Sequence, residues 1–323
     1  MNRYTAAMAA VMLATLAPSG WGQSAYPVKL VRIVNPVAAG GNQDVVARAM
    51  ADQMTRAFGQ QVVVESRPGA SATVGTRYVR NAPPDGYTLL AISNTFVRTP
   101  AMMAEAGYDP VKDFAAISLT CDVPLVLVVN PSLPVGNVQE LIALAKRRPG
   151  EISSGSSGTG STGHVAAELF SRQAGIRLLH IQYKGAAPAI VDLVGGHVML
   201  RFDQATTSVA HIKSGKLRAL AVTTPKRARL LPDVPTMEEA GLPGFQDSTF
   251  NGLVAPAGTP REVLERVRAE VAKAVASPEL RNRYSELGIE LVSSGSIDEF
   301  AEFLRKQVED FARLATATGI RTN

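Results

Sequence analysis

At 323 residues the chain is longer than one hydrophobic core usually serves, so two domains are expected. A content of 46% hydrophobic and 19% charged residues is globular, not disordered, and a single cysteine, Cys121, excludes an internal disulfide. The net charge of +5 is spread without a Lys/Arg stripe and only 6% of residues are aromatic, which argues against a nucleic-acid partner.

The first residues read as an export signal. Arg3 supplies the positive end, residues 6–17 are apolar, and Gly20, Gly22, Ser24 and Ala25 form a small-residue region where cleavage after Gly22 or after Ala25 fits. The apolar stretch is too short to span a bilayer, which takes roughly 20 residues. Cys121 lies too far along the chain to anchor a lipid behind a signal. A monomeric protein, free in a bacterial periplasm and without residues 1–25, is the expectation.

Residues 31–34 read as a buried strand, followed by the loop Asn35-Pro36-Val37-Ala38-Ala39-Gly40-Gly41-Asn42-Gln43. A helix over 44–58 places Val45, Val46, Ala49, Met50 and Met54 on one face. Strands at 61–65 and 87–92, with a helix around 75–81 between them, complete a βαβαβ pattern and predict a parallel sheet covered by helices. A second α/β unit begins with a strand at 125–129. Helices at 138–147, 164–173, 189–194 and 206–214 then alternate with strands at 178–181, 198–202 and 217–222. The chain then passes 250–255 and finishes with the C-terminal helices. Thr259-Pro260-Arg261-Glu262 and Ser296-Ile297-Asp298-Glu299 read as capping boxes, and Ser277-Pro278 starts a helix between them.

Residues 155–164, Gly-Ser-Ser-Gly-Thr-Gly-Ser-Thr-Gly-His, open straight into a helix. They offer hydroxyls and backbone N–H groups with no formal charge unless His164 is protonated. The partial positive charge of a helix N-terminus makes such a loop suit an anion. The 35–43 loop has the same character, so the pair predicts a cleft that grips a small acid from both sides. In the first loop the candidates are Val37, Ala38, Ala39, Gly41 and Gln43. Asp44 reads mainly as a polar anchor for the loop, with direct ligand contact as the second reading. In the second loop they are Ser157, Gly158, Thr159, Gly160, Ser161 and His164, the last reading equally as a packing residue that caps the loop. Ser93, Asn94 and Thr95 follow one strand, Tyr183, Lys184 and Gly185 another, and Asp203 a third, at strand ends where open α/β sheets bind ligands. Lys184 is the nearby cation, either on the ligand or solvated.

Further along, the punctuation becomes specific. Tyr26-Pro27-Val28-Lys29, Gly40-Gly41 with Asp44, Arg67-Pro68-Gly69-Ala70, Pro84-Asp85-Gly86-Tyr87-Thr88, Tyr108-Asp109-Pro110, the 155–164 loop, Tyr183-Lys184-Gly185, Leu231-Pro232-Asp233-Val234-Pro235 and Ala255-Pro256-Ala257-Gly258-Thr259-Pro260 follow one another in order. The set resembles the substrate-binding receptors of tripartite tricarboxylate transporters, the Bug family. That resemblance implies an α/β, two-lobed periplasmic binding protein fold of type II with the ligand cleft between the lobes. The implied division is 26–123 plus 247–323 for lobe 1 and 124–246 for lobe 2. It also implies capture of a small carboxylate and delivery to the membrane permease subunits, with no cofactor, metal or catalysis. Four places depart from the family, among them Phe250, which replaces a usual tryptophan. Val37-Ala38-Ala39 replaces an aromatic followed by Ala-Pro, Met199 replaces an acidic residue, and Arg201 replaces an apolar one. Arg201 either takes a second carboxylate in a bidentate fork or faces outward.

Rival readings fail at particular residues. Gly158-Thr159-Gly160-Ser161-Thr162-Gly163 satisfies G-x-G-x-x-G, but the next strand ends in Gln182-Tyr183 where a dinucleotide-binding oxidoreductase needs an acid. No serine has the G-x-S-x-G spacing of a hydrolase. His164, His180, His197 and His211 are scattered singly, without metal-ligand spacing. A ligand-sensing receptor for a signalling system is not separated from a transport receptor by the sequence.

Overall fold

The computed structural model describes residues 26–319 except Thr159, Lys184 and Gln246; the expected signal segment, Thr159 and Lys184 lie outside the described residues. The chain begins with β1 (Val31–Asn35), α1 (Asn42–Phe58), β2 (Val62–Ser66), α2 (Thr73–Arg80), β3 (Thr88–Ser93) and α3 (Asn94–Met102). β1 pairs in parallel with β2 and β3. Ile33, Leu89 and Leu90 are fully buried because helices cover both faces of this sheet.

The next strand, β4 (Phe114–Val129), is far longer than the strand expected at 125–129. Its first half carries Ala115, Ala116, Ser118 and Thr120, and its pairing slips at 116–118 and 119–121. Those bulges break the period-2 signal on which sequence reading depends. α4 (Val138–Arg147), β5 (Ser153–Ser156), α5 (Thr162–Ala174), β6 (Leu179–Gln182), α6 (Ala186–Gly195), β7 (Leu200–Gln204), α7 (Ala205–Lys213) and β8 (Arg218–Val222) build the second lobe. β5 reads Ser-Ser-Gly-Ser, turn-like by composition, yet it is buried between β6 and β7. β9 (Ser248–Pro256), α8 (Arg261–Ala276), α9 (Pro278–Glu286), β10 (Glu290–Leu291) and α10 (Ile297–Thr318) complete the chain.

The strands run in the order β2-β1-β3-β9-β4-β7-β5-β6, with β8 and β10 also on β4. β4 pairs with β9 through its first half and with β7 and β8 through its second, so it belongs to both lobes. One core surrounds Ile33, Met50, Leu90, Ile117 and Phe300. In the second lobe, Leu127, Phe170 and Phe202 pack on one face of the sheet, and Val126, Val128 and Leu193 on the other. α8 lies on α1, and α10 on α3 and β4, so the C-terminal helices return to the first lobe.

Helix starts only partly follow the expected caps. Ser296 Oγ accepts Glu299 N–H at 3.0 Å, while Glu299 reaches back to Gly295 N–H at 2.8 Å. The Thr259 box does not form. Its hydroxyl donates to the Pro256 carbonyl at 2.8 Å, and α8 starts after Pro260, so the threonine closes the preceding turn instead.

Candidate functional site

β3, β5, β6 and β7 hand the chain to α3, α5, α6 and α7, and those four helices start around one cavity. The cavity, about 260 Å³, is lined by Ser93, Asn94, Thr95 and Thr249 from the first lobe. From the second come the start of α5 (Ser161, Thr162, Gly163), Ala186 at the start of α6, and Gln204 and Thr207 around the start of α7. Four helix N-termini therefore converge, each contributing partial positive charge. Around the cavity α3, α6 and α7 have no side-chain cap and α5 is capped by Ser161; away from it α4, α9 and α10 are capped by Asn137, Ser277 and Ser296, while α1, α2 and α8 are not. First-turn amides are thus left for whatever enters the cavity.

The second loop uses most of its donors on itself, contrary to expectation. Gly160 N–H donates to His164 Nδ1 at 3.0 Å, Ser161 N–H to the Gly158 carbonyl at 3.1 Å, and Gly158 N–H to Ser156 Oγ at 3.3 Å. Ser161 Oγ caps α5 by accepting from His164 N–H at 3.4 Å. His164 is a loop-closing residue, stacked on His180 with ring centroids 4.0 Å apart. Burial, then the neighbouring His180, push its pKa down to about 4, which keeps Nδ1 an acceptor. Thr162 and Gly163, the first residues of α5, line the cavity directly. A Cβ at Gly163 would lie 2.4 Å from the Phe202 carbonyl oxygen, so only glycine lets α5 start this close to β7.

In the first loop, Val37, Ala38, Ala39 and Gly41 are partly or wholly exposed and lie outside the cavity lining. Gln43 turns inward and donates to the Ala91 carbonyl at 2.8 Å, so its side chain holds α1 to β3. Asp44 is the anchor: its carboxylate accepts from Gly40 N–H at 3.0 Å, is gripped by Arg48, and takes Asn35 Nδ2 at 3.3 Å. These bonds hold its pKa below the usual carboxylate range despite burial. Asn42 Nδ2 crosses to Gln204 Oε1 at 2.9 Å, joining the loop to the other lobe.

Of the candidates, Ser93, Asn94, Thr95, Ser157, Gly160, Ser161 and Asp203 line the cavity, and Gly158 does not. Nor does Tyr183; its hydroxyl donates to Asp192 at 2.7 Å and its ring packs with Val126, Val128 and Leu193 on that face of the second lobe. Gly185 is the residue before α6, one step from the lining Ala186. The orientation of Arg201 is resolved. Strand alternation puts Arg201 and Asp203 on the cavity side of β7 and Phe202 in the core against Phe170 and Phe245. Arg201 Nε lies 2.9 Å from Asp203 Oδ1, at an angle too bent for a hydrogen bond, so charge holds the pair. Arg201 Nη1 donates to the Ala186 carbonyl at 3.1 Å, and Thr207 Oγ1 to Asp203 Oδ2 at 2.5 Å. Burial raises the Asp203 pKa, and Arg201 opposes that rise. Sequence reading missed Leu125, Thr162, Gly163, Ala186, Phe202, Gln204, Thr207 and Thr249; looking for every helix start after a strand would have found all but Leu125, Phe202 and Thr249.

The sequence profile described as "Tripartite tricarboxylate transporter family receptor" matches residues 46–320. Protein BugT of Bordetella pertussis is 34% identical over 298 residues, covering 92% of this chain and 91% of its own. Among solved structures, R. palustris Rpa4515 with adipate superposes with a TM-score of 0.78 at 34% identity, covering 92% of this chain and 99% of that one. MatC from Rhodopseudomonas palustris with bound malate gives 0.74 at 30% identity, over 90% and 99%. The fold is the two-lobed one of periplasmic binding proteins. With the profile spanning most of the sequence, the chain belongs to the tripartite tricarboxylate transporter receptor family, a family of solute-binding receptors and not of enzymes.

Proposed function

We propose that the protein is a periplasmic receptor that captures a small carboxylate between its lobes and delivers it to the membrane permease of a tripartite transporter. The observation that carries this reading is the convergence of four helix N-termini, with the Arg201 guanidinium, on one cavity. In this reading the ligand's carboxylate sits on the first-turn amides of α3 and α5 and the hydroxyls of Ser93, Ser157 and Thr162. Arg201 meets the far end of the ligand, and residues 37–41 form the rim. Similar chains bound to adipate and malate support a dicarboxylate. The protein works as a monomer, unaided by metal or cofactor, and returns its ligand unchanged. Residues 1–25 are the signal removed on export, 26–123 with 247–323 form one lobe, and 124–246 the other.

A thermal-shift screen of carboxylates tests the reading. A ligand at about 100 times its Kd adds roughly 2.7 kcal/mol of stability, which reads as a rise of several degrees at about 2–4 °C or less per kcal/mol. Melting shifts with neutral sugars alone, and none with dicarboxylates, overturn it.

A further inference from the structure

A second cavity, about 320 Å³, lies behind the strands that join the lobes. Along β9, Thr249 faces the ligand cleft whereas Ser248 and Phe250 line this rear cavity. Both lobes wall it: Arg98 comes from α3 and Phe311 from α10, while Val165 and Leu169 come from α5. α3 and α5 thus each give their first residues to the cleft and their next turn to the rear cavity.

The floor of this cavity is charged and incompletely paired. Arg98 Nη2 donates to Asp247 Oδ1 at 3.0 Å, with both side chains more than nine-tenths buried, at 4% and 8% exposure. Asp247 Oδ2, Asp122 Oδ1 and Arg98 Nη1 are buried and make no hydrogen bond among the described residues, two acceptors against one donor. Asp122 and Asp247 both line the cavity, and burial, with the Asp247 charge adding to it, pushes the Asp122 carboxyl up to about 6. Asp310 stands at the rim, where Arg313 pairs with it, so Asp122 and Asp247 are the two carboxylates that share the Arg98 guanidinium. The walls are aromatic, formed by Phe250, Phe303 and Phe311. Buried carboxylate oxygens without donors are costly, and a cation satisfies them while aromatic faces attract it further.

We propose that this rear cavity binds a small alkylammonium ion, its ammonium between Asp122 and Asp247 and its alkyl chain among Phe250, Phe303 and Phe311. The site is chemically opposite to the cleft, so an anionic solute is repelled here, and the proposal stands independently of what the cleft binds.

Calorimetric titration of the purified protein with n-butylammonium chloride at pH 7.5 tests it, with sodium n-butyrate as the anionic counterpart. The expected result is saturable 1:1 binding of butylammonium that excess butyrate leaves unchanged. Asp122→Asn keeps the shape and leaves the Arg98–Asp247 pair intact, so it stays folded and weakens binding about tenfold or more. Leu169→Trp fills the cavity and abolishes binding, with circular dichroism confirming its fold. Absence of saturable binding to the wild type, or equal affinity in wild type and Asp122→Asn, overturns the proposal.

Discussion

Gly160 N–H donates to His164 Nδ1 at 3.0 Å, so the glycine-rich loop is closed by a residue of the helix it introduces. A protonated imidazole has no acceptor at Nδ1 and breaks that bond. Because the folded-state pKa, about 4, lies below the ordinary 6.5, His164 contributes stability that is present above pH 6.5 and lost as pH falls through about 4. The gap corresponds to roughly 3 kcal/mol. In His164→Gln, whose carboxamide oxygen can replace the acceptor, this share of the acid sensitivity disappears. Urea unfolding of both proteins at pH 7 and pH 4 measures it. Asp122 works in the opposite sense, since its raised pKa adds stability as pH drops below about 6, and it cancels in the comparison.

Gly163 and Gly41 both precede or open a helix, yet the structure separates them sharply. A Cβ at Gly163 meets a backbone oxygen at 2.4 Å, whereas one at Gly41 meets nothing within 4 Å. Gly163→Ala therefore forces α5 away from β7, costs about 1–3 kcal/mol and weakens ligand binding. Gly41→Ala leaves both stability and affinity close to wild type. Unfolding curves and calorimetry on the two variants check the contrast, and equal behaviour contradicts the placement of α5.

Much of this was legible in the sequence. The 155–164 loop and the strand ends at Ser93, Asn94 and Asp203 mark cavity residues because a strand–helix junction has a local signature. The loop's own hydrogen bonds were not legible, since the Gly160–His164 bond depends on a turn geometry that composition does not reveal. β5 and the first half of β4 escaped for a related reason: a Ser-Ser-Gly-Ser strand becomes a strand only through its neighbours, and bulges erase the alternation in β4. Side-chain direction in β7 needed the sheet's pairing, without which Arg201 had no assigned face.

Arg201 and Asp203 compensate each other in a buried site, at 4% and 1% side-chain exposure. Arg201→Met leaves the Asp203 charge unpaired and costs about 3–5 kcal/mol. The double variant Arg201→Met/Asp203→Asn recovers most of that loss, because no lone charge remains buried. In that folded double variant a dicarboxylate loses more affinity than a monocarboxylate, if Arg201 meets the second carboxylate. Urea unfolding gives the first half of the prediction and calorimetry with paired mono- and dicarboxylates the second; equal losses for both ligands remove Arg201 from recognition.

Ala70, Ser71 and Ala72 run consecutively in the left-handed region, with φ of 43°, 54° and 72°. Each conformation costs a residue with a Cβ about 1–2 kcal/mol relative to glycine. Ser71 is exposed and its hydroxyl makes no described hydrogen bond. Ser71→Gly is expected to stabilise the protein by about 1 kcal/mol, after the looser unfolded chain takes back part of the gain. A higher urea midpoint at an unchanged slope is the sign to look for, and a lower midpoint contradicts the strain.

Asn42 Nδ2 and Gln204 Oε1 meet at 2.9 Å across the cleft, one from the start of α1 and the other from the end of β7. Gln204 is held for this contact by its own Nε2, which donates to Thr249 Oγ1 at 3.1 Å. Such a bond exists only when the lobes are together, so it stabilises the closed state and not the open one. Its net worth of roughly 0.5–1.5 kcal/mol corresponds to a few-fold to about tenfold in the closing equilibrium. Asn42→Ala should therefore weaken ligand affinity by that factor while the melting temperature of the ligand-free protein barely moves, because the side chain is partly exposed and makes no other hydrogen bond among the described residues. Calorimetry with an identified ligand and a melting scan without it separate the two effects. Unchanged affinity would mean that Asn42 and Gln204 part without consequence for closure, and a lowered ligand-free melting point would make the pair a structural contact instead of a latch.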